Sequence, residues 1–452
     1  MGGGCSDPRN PTETPGVRHR LAGSTPELAT LITHTALRVF MSDRFDVVVA
    51  GAGPAGAQCA RDLAQRGYDV VLLELESEDE FPRQSNKSTA GTFPSMMAAF
   101  GVPDDVVMNY TDDVVLESPN DHYVQNQPGA VLEFAEFKQW LVDDARKKGA
   151  EVWFDSRVSR PITEDGEPVG VRYNGDEAVY GEILVDATGP AAPLAKDLGV
   201  SDLKRGKQAI GVEFEMEGVE INHPDYADLT DSMMLRLDHD LAPGGYSWIF
   251  HTGGDEAKVG ICYIQNKSHE THGKEGMGID DYLQYWLDTD PRFENAERIE
   301  GKVHRGSAHI QTPGELSTDS FMAVGDTVPT IDPLWGEGIH KGMQSGRAAA
   351  TTADRCLTPD DLDTSASAMA VYNKLWHAEV APRARERLLM TEMLYLAPNS
   401  RYDKLMADLN ETEEDTLAKV NAGNLGAMRK LLRLSDVPLL AKFARERLSD
   451  SR

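Results

Sequence analysis

The alternation of apolar and polar positions divides the chain into segments of different kinds. Phe45-Asp-Val-Val-Val-Ala50 is a short apolar strand that runs into Gly51-Ala-Gly53-Pro-Ala-Gly56 and a helical stretch ending at Gly67. A second strand, Tyr68–Glu74, closes on an acid. Strand, glycine turn, helix and strand make one complete βαβ unit. The period then changes. Gln208–Val219 and Tyr246–Gln265 alternate apolar and polar residues, and Gly253-Gly254-Asp255 between them reads as a hairpin turn. An antiparallel sheet inserted between the parallel elements is expected there. Beyond Pro359, Leu, Met and Ala recur at helical spacing to the end, as a core-facing stripe does more readily than a membrane anchor.

The glycine turn has a chemical reading. Gly51 permits the tight bend, Gly53 lets backbone approach a pyrophosphate, and Gly56 lets helix and strand pack closely. The helix N-terminus adds free N–H groups and partial positive charge, and Glu74 can accept the hydroxyls of an adenosine ribose. A distant second signature favours a flavin over a nicotinamide. Ser320-Phe-Met-Ala-Val-Gly325-Asp326 is an apolar strand ending in Gly-Asp, followed by Pro333-Leu-Trp-Gly336-Glu-Gly338-Ile339 and a helical run to Cys356. Asp326 would meet the ribityl hydroxyls, and a helix starting near Gly338 would stabilise the anionic reduced ring. Between them, Glu182–Gly189 is a strand that returns the chain to the same place. Three separated elements thus point at one FAD, and no second G-x-G-x-x-G follows. Tyr246, Trp248 and Phe250 share one face of a strand, where they line a substrate pocket or pack against helices.

Composition removes other classes. The 452 residues carry 74 Asp+Glu against 45 Lys+Arg, a formal charge of −29, which repels phosphate backbones and argues against nucleic-acid binding. With 40% hydrophobic residues the chain is not a disordered acidic polymer. Acid excess with only 17 Lys suits a salt-rich cytoplasm, where screening quenches self-repulsion. Cys5, Cys59, Cys262 and Cys356 form no C-x-x-C pair, so neither a disulfide scaffold nor a zinc ribbon fits. His269-Glu-Thr-His272 lacks metalloprotease spacing and reads as loop, so no metal site is expected. The longest charge-free stretches are short and Gly-rich, unlike a bilayer span. Residues 1–40 differ in composition and read as a disordered leader. Their start matches a myristoylation pattern only loosely, and Met41 is the favoured start of translation.

Taken in order, these elements resemble the geranylgeranyl reductase family, flavoproteins with a glutathione-reductase-like fold of the p-hydroxybenzoate hydroxylase type. The discriminating match is Tyr246-Ser-Trp248-Ile-Phe250, which looks like the family's Y-x-W-x-F signature, followed by a turn and a Val259-Gly260 strand. The resemblance implies FAD contacts at Ala55 and Glu74, at Thr89 and Ala90 after Lys87, at Gly189, and at Asp326, Gly336, Gly338 and Ile339. It implies substrate contacts at Tyr246, Trp248 and Phe250. Two departures stand out: Thr89 replaces a frequent Cys beside the flavin, and Phe134 replaces an Arg ahead of Phe137 and Leu141.

The fold class implied is α/β. An FAD-binding domain is expected from 41–200 and 301–358, a substrate-binding antiparallel sheet from 201–300, and a helical region from 359–452. The activity implied is FAD-dependent saturation of C=C bonds in geranylgeranyl chains of archaeal ether-lipid precursors. The partners are an isoprenoid lipid and an external electron donor such as ferredoxin, reduced deazaflavin or nicotinamide. Such an enzyme is cytoplasmic, with peripheral membrane contact left open. A flavin monooxygenase or halogenase and a flavin-carrying electron-transfer protein are the alternatives, and no residue is singled out as the proton donor. A lipid-facing mouth must escape the general acidity, so an apolar, acid-poor patch is expected beside the pocket.

Overall fold

The computed structural model of the chain describes residues 44–83, 89–358 and 362–450. The readings made for residues 1–40, for Met41 and for Lys87 lie outside them. Arg44–Ala50 forms the middle of a sheet, with Val70–Leu73 on one side and Glu177–Asp186 on the other, all parallel. Glu151–Trp153 and Phe321–Ala323 extend it in parallel at either end. That order reverses at Arg44–Ala50, and such a reversal opens a crevice at the carboxyl ends of the strands. Val47–Ala50 and Val70–Leu73 are buried on both faces, as continuous apolar runs in a covered parallel sheet should be. Helices Pro54–Gln65 and Ile339–Cys356 cover one face and pack closely against each other. A Cβ on Gly346 would lie 2.1 Å from the Ala55 carbonyl oxygen, so this crossing needs glycine.

The second sheet is almost wholly antiparallel. Its order is Glu297–His309, Gln208–Glu217, Glu256–Ile264, Gly245–Gly253, Ser232–Arg236, Val107–Glu117, His122–Leu132 and Gly91–Thr92. It therefore extends past the expected 201–300 span, taking three strands from 91–132 and running on to His309. The strands at 107–132 lack clean alternation because a register shift falls between Thr111 and Asp113, and Gln125-Asn126-Gln127 interrupts the partner. Helix Ile279–Thr289 seals the outer face of this sheet with Tyr282, Leu283 and Trp286. Fully buried Arg292 is held by Glu117 at 2.9 Å and Asp290 at 2.8 Å, which ties the 107–132 strands to the insert.

From Ala366 to the end the described residues are mainly helical. They pack Leu388, Tyr395, Tyr402 and Met406 against Leu237 and Ile264. Residues Lys267–His272, expected as loop, form a short helix. The Asn266 side chain caps it, accepting from the Ser268 and His269 N–H groups. Its two histidines stack on neighbouring rings, His269 on Tyr263 at 4.0 Å and His272 on His239 at 3.7 Å.

His239 is buried and neutral: its Nδ1 accepts from the Gly244 N–H, leaving Nε2–H to donate to the Ala397 carbonyl at 2.8 Å. Burial, reinforced by the His272 charge, pushes its pKa down to about 4. In the unfolded chain it titrates near about 6.5. As pH falls between those values the unfolded state takes up a proton the folded state refuses, so stability present above the window is lost within it. His340, also pushed down to about 4 by burial, adds to the effect. Thermal melts stepped through this window should show a falling midpoint, with the fall reduced by about one proton in His239→Asn. An unchanged slope in that variant would refute the assignment.

Candidate active site

A cavity of about 1060 Å³ lies between the carboxyl ends of the parallel strands and one face of the second sheet. Gly51, Gly53, Ala55, Glu74, Thr89, Ala90, Gly189, Asp326, Gly336, Gly338 and Ile339 line it, and so do Tyr246, Trp248 and Phe250. Gly56 lies beneath, inside the first helix. Gly51 has φ of +100°, and a Cβ there would meet the Ala187 carbonyl oxygen at 2.5 Å. A Cβ on Gly56 would sit 2.0 Å from the Gly51 carbonyl oxygen. A Cβ on Gly53 would enter open space, where a phosphate can reach the uncapped helix start. Glu74 holds this turn, accepting from the Ala52 N–H at 2.9 Å and the Glu76 N–H at 3.0 Å. Each carboxylate oxygen keeps a further lone pair for a hydroxyl.

The distant elements converge on the same space. Buried Asp186 ends the central strand and accepts from Thr188, Leu194 and Ala195 N–H groups, which fixes the loop bearing Gly189. Asp326 faces the cavity, and burial pushes its carboxyl up to about 6. Helix Ile339–Cys356 begins at Gly338 without a side-chain cap on its first N–H groups, apart from Glu337, which accepts from the His340 N–H at 2.6 Å. Its positive end opens on the cavity. Gly336 has φ of +66°, and a Cβ there would overlap the Tyr246 hydroxyl at 2.0 Å.

The opposite wall is the second sheet. Trp248 lies across Gly260, where a Cβ would meet its ring at 2.3 Å, and Phe250 lies across Gly91 at 2.4 Å. Four polar residues in this wall were not singled out from the sequence. The Trp248 Nε1–H donates to Glu213 Oε2 at 2.9 Å, while Glu213 Oε1 is buried without a hydrogen-bond partner. His304 stands opposite Glu213 in the strand pair and bonds Glu215 at 2.8 Å. Burial lowers the His304 pKa, but the Glu215 hydrogen bond and the Glu213 charge outweigh it and leave it raised. Buried Lys258 donates to the Thr89 and Leu132 carbonyls at 3.2 and 3.0 Å. Lys138, one turn after Phe134, lines the cavity with Nζ 4.8 Å from the Phe81 ring centre.

A second, strongly apolar cavity of about 180 Å³ adjoins the first, sharing Leu235, Tyr246, Trp335 and Tyr395 with it. The C-terminal helices close it with Met390, Leu394, Leu431 and Leu439.

A dinucleotide fits the residues present. The glycines leave a backbone cradle that a Cβ would fill, Thr92 Oγ1 is buried at the cavity wall without a partner, and two helix N-termini and Asp326 face the space. The arrangement can hold a flat, negatively charged cofactor against an aromatic wall, with an apolar extension for a long chain.

Comparison with known proteins agrees. A family model described as an FAD binding domain matches residues 44–352. A digeranylgeranylglycerophospholipid reductase of Haloferax volcanii is 66% identical over 410 residues, covering 91% of this chain and 100% of the relative. Among solved structures, a geranylgeranyl bacteriochlorophyll reductase-like protein from Thermoplasma acidophilum superposes with a TM-score of 0.76 at 22% identity, over 88% of this chain and 99% of its own. A flavin-dependent brominase superposes with a TM-score of 0.67 at 19% identity, over 90% and 100%. The two structures carry the fold: α/β, of the type expected, with an inserted sheet and a helical C-terminal region.

Proposed function

Since the chain belongs to the digeranylgeranylglycerophospholipid reductase family, we propose that its two adjoining cavities hold FAD and a geranylgeranyl chain side by side. The chain is an FAD-dependent reductase that saturates C=C bonds of geranylgeranyl chains in archaeal ether-lipid precursors. The observation that most favours an isoprenoid is the apolar path offered by the second cavity, which shares Leu235, Tyr246, Trp335 and Tyr395 with the first. An electron carrier needs an open flavin edge and no such path.

In this reading Gly51, Gly53, Ala55 and Gly56 form the pyrophosphate turn, and Glu74 takes the ribose. Asp326 would take the ribityl chain, Thr89, Ala90 and Gly189 would hold the ring, and Gly336, Gly338 and Ile339 would present the helix end to it. Lys138 supplies a positive charge in the wall where Phe134 stands. Bound and reduced, FAD supplies a hydride to one alkene carbon. Tyr246, Trp248 and Phe250 would line the alkene's side of the cavity and exclude water from it. The other alkene carbon needs a proton, and Glu213 is the cavity-lining carboxyl placed to relay one, with Trp248 orienting it through Oε2. His304, across the strand pair, can restore the proton. Electrons come from an external donor. The mainly helical residues 366–447 would cover the lipid path.

The test is to purify the protein in high salt, record its flavin spectrum, reduce it with dithionite and add digeranylgeranylglycerophospholipid. Product mass rising by two hydrogens per double bond is expected. Rapid oxygen uptake with a hydroxylated, unsaturated product would overturn the reading in favour of a monooxygenase.

A further inference from the structure

The C-terminal segment breaks the charge rule of the rest of the molecule. Against a chain charge of −29, residues 425–447 hold six Lys and Arg and only two acids. One of those acids, Asp436, is taken up internally by Arg401 at 3.0 Å. Arg429 and Arg445 have no acidic partner among the described residues. Between these cations lie the most exposed large apolar side chain among the described residues, Leu434 at 94%, and Val437 at 59%.

This segment is also a wall with two apolar sides. Leu431 and Leu439 face inward and line the 180 Å³ cavity, while Leu434 and Val437 face out. A helical cover that meets only water on its outer side needs one apolar face, not two. Exposed leucines set among arginines fit an interface that is apolar within and anionic at its rim.

We propose that the outer face of residues 425–447 docks on an anionic lipid surface and sets the lipid path against the bilayer, an inference that rests on the lipid-substrate reading above. A second copy of the chain fits worse. A two-fold contact would bring Arg429, Arg433 and Arg445 against their own equivalents. An anionic headgroup layer meets the cations, and the layer beneath it takes Leu434. In concentrated salt the Debye length is only about 3 Å at 1 M, so the cations act at contact range, beside the apolar insertion of Leu434. Acidic residues in their place would still have to be stripped of water at the surface, which accounts for their scarcity here.

Flotation of the flavin-loaded protein with phosphatidylglycerol vesicles, and with phosphatidylcholine vesicles as control, tests this in about 1 M KCl. The protein should float with the anionic vesicles, and Leu434→Asp should lower the bound fraction by about tenfold or more. Turnover of detergent-dispersed lipid should be unchanged in that variant, which shows that fold and site are intact. Arg429→Glu should weaken binding to phosphatidylglycerol and leave phosphatidylcholine binding as it was. Equal flotation of wild type and Leu434→Asp, equal binding to both vesicle types, or no flotation of wild type would each overturn the proposal. So would a dimer that light scattering shows Leu434→Asp to split, since a second copy would then cover this face. Protein that floats but does not reduce dispersed lipid would instead refute the substrate reading and leave docking standing.

Discussion

Gly56→Val should yield a colourless protein, with FAD affinity reduced about 100-fold or more. The added Cβ alone would stand 2.0 Å from the Gly51 carbonyl oxygen and 2.8 Å from the Ala187 Cβ. Neither neighbour can yield, because the Gly51 backbone is held by the Leu73 carbonyl and Ala187 by the Ala50 carbonyl in the sheet. Overpacking of this kind costs about 1–3 kcal/mol in a well-packed site, and about 2.7 kcal/mol is a factor of 100 in binding. The helix must back away, and the turn N–H groups then leave the pyrophosphate. Gly53→Ala separates the cradle from the fold. Its Cβ meets nothing in the protein but enters the cofactor's space, so flavin affinity should fall while the melting temperature of flavin-free protein holds. Absorbance of the purified variants and fluorescence titration with FAD measure both. Full flavin content in Gly56→Val would remove the turn from the site.

Glu213→Gln should lower the rate of lipid saturation by about 100-fold or more, the low end of what a placed proton donor contributes. Gln keeps the shape and the acceptor for the Trp248 indole N–H, but has no proton to give. Flavin content and dithionite reduction should match wild type, so the loss would sit after reduction. Single-turnover reoxidation of reduced enzyme by lipid, run in H2O and D2O, separates this role from a merely structural one. Wild type should show a solvent isotope effect, and the variant's reoxidation should be slow. A variant within about threefold of wild type would mean that water delivers the proton and Glu213 only holds Trp248.

The parts of this site that could be read from the sequence are those set by local geometry. The turn at Gly51–Gly56, the acid at Glu74 and the Gly325-Asp326 strand end are fixed by short-range sterics and spacing. The shared face of Tyr246, Trp248 and Phe250 follows from a period of two. Glu213, Lys258 and His304 were hidden by the same period. In Val212-Glu213-Phe214-Glu215-Met216 the acids fall on the polar side of the alternation, which in an ordinary antiparallel sheet is the solvent side. Here both sides are covered: Val212, Phe214 and Met216 pack in one core with the helix at 279–289, Glu213 meets the cavity, and Glu215 meets His304. An alternating strand does not say what lies over its polar face. The strands at 107–132 escaped the sheet expected for 201–300 for a related reason, since their pairing partner at 232–236 lies more than a hundred residues later.

That pairing has a consequence for how the molecule can be taken apart. The chain lays down the start of the parallel sheet, crosses over for 91–132, returns for 151–186, crosses again for 208–309, and returns for 317–323. The two layers are therefore interlaced by five passes of one thread, and most of their contacts close large loops. Neither layer is a module that can be swapped for another family's, and residues 201–300 cut out alone would leave strand edges at 208–217 and 232–236 without partners. Folding must wait for late segments to arrive before early strands find their places, which puts this chain among the slow folders. Changes of substrate range have to be made side chain by side chain on a fixed frame.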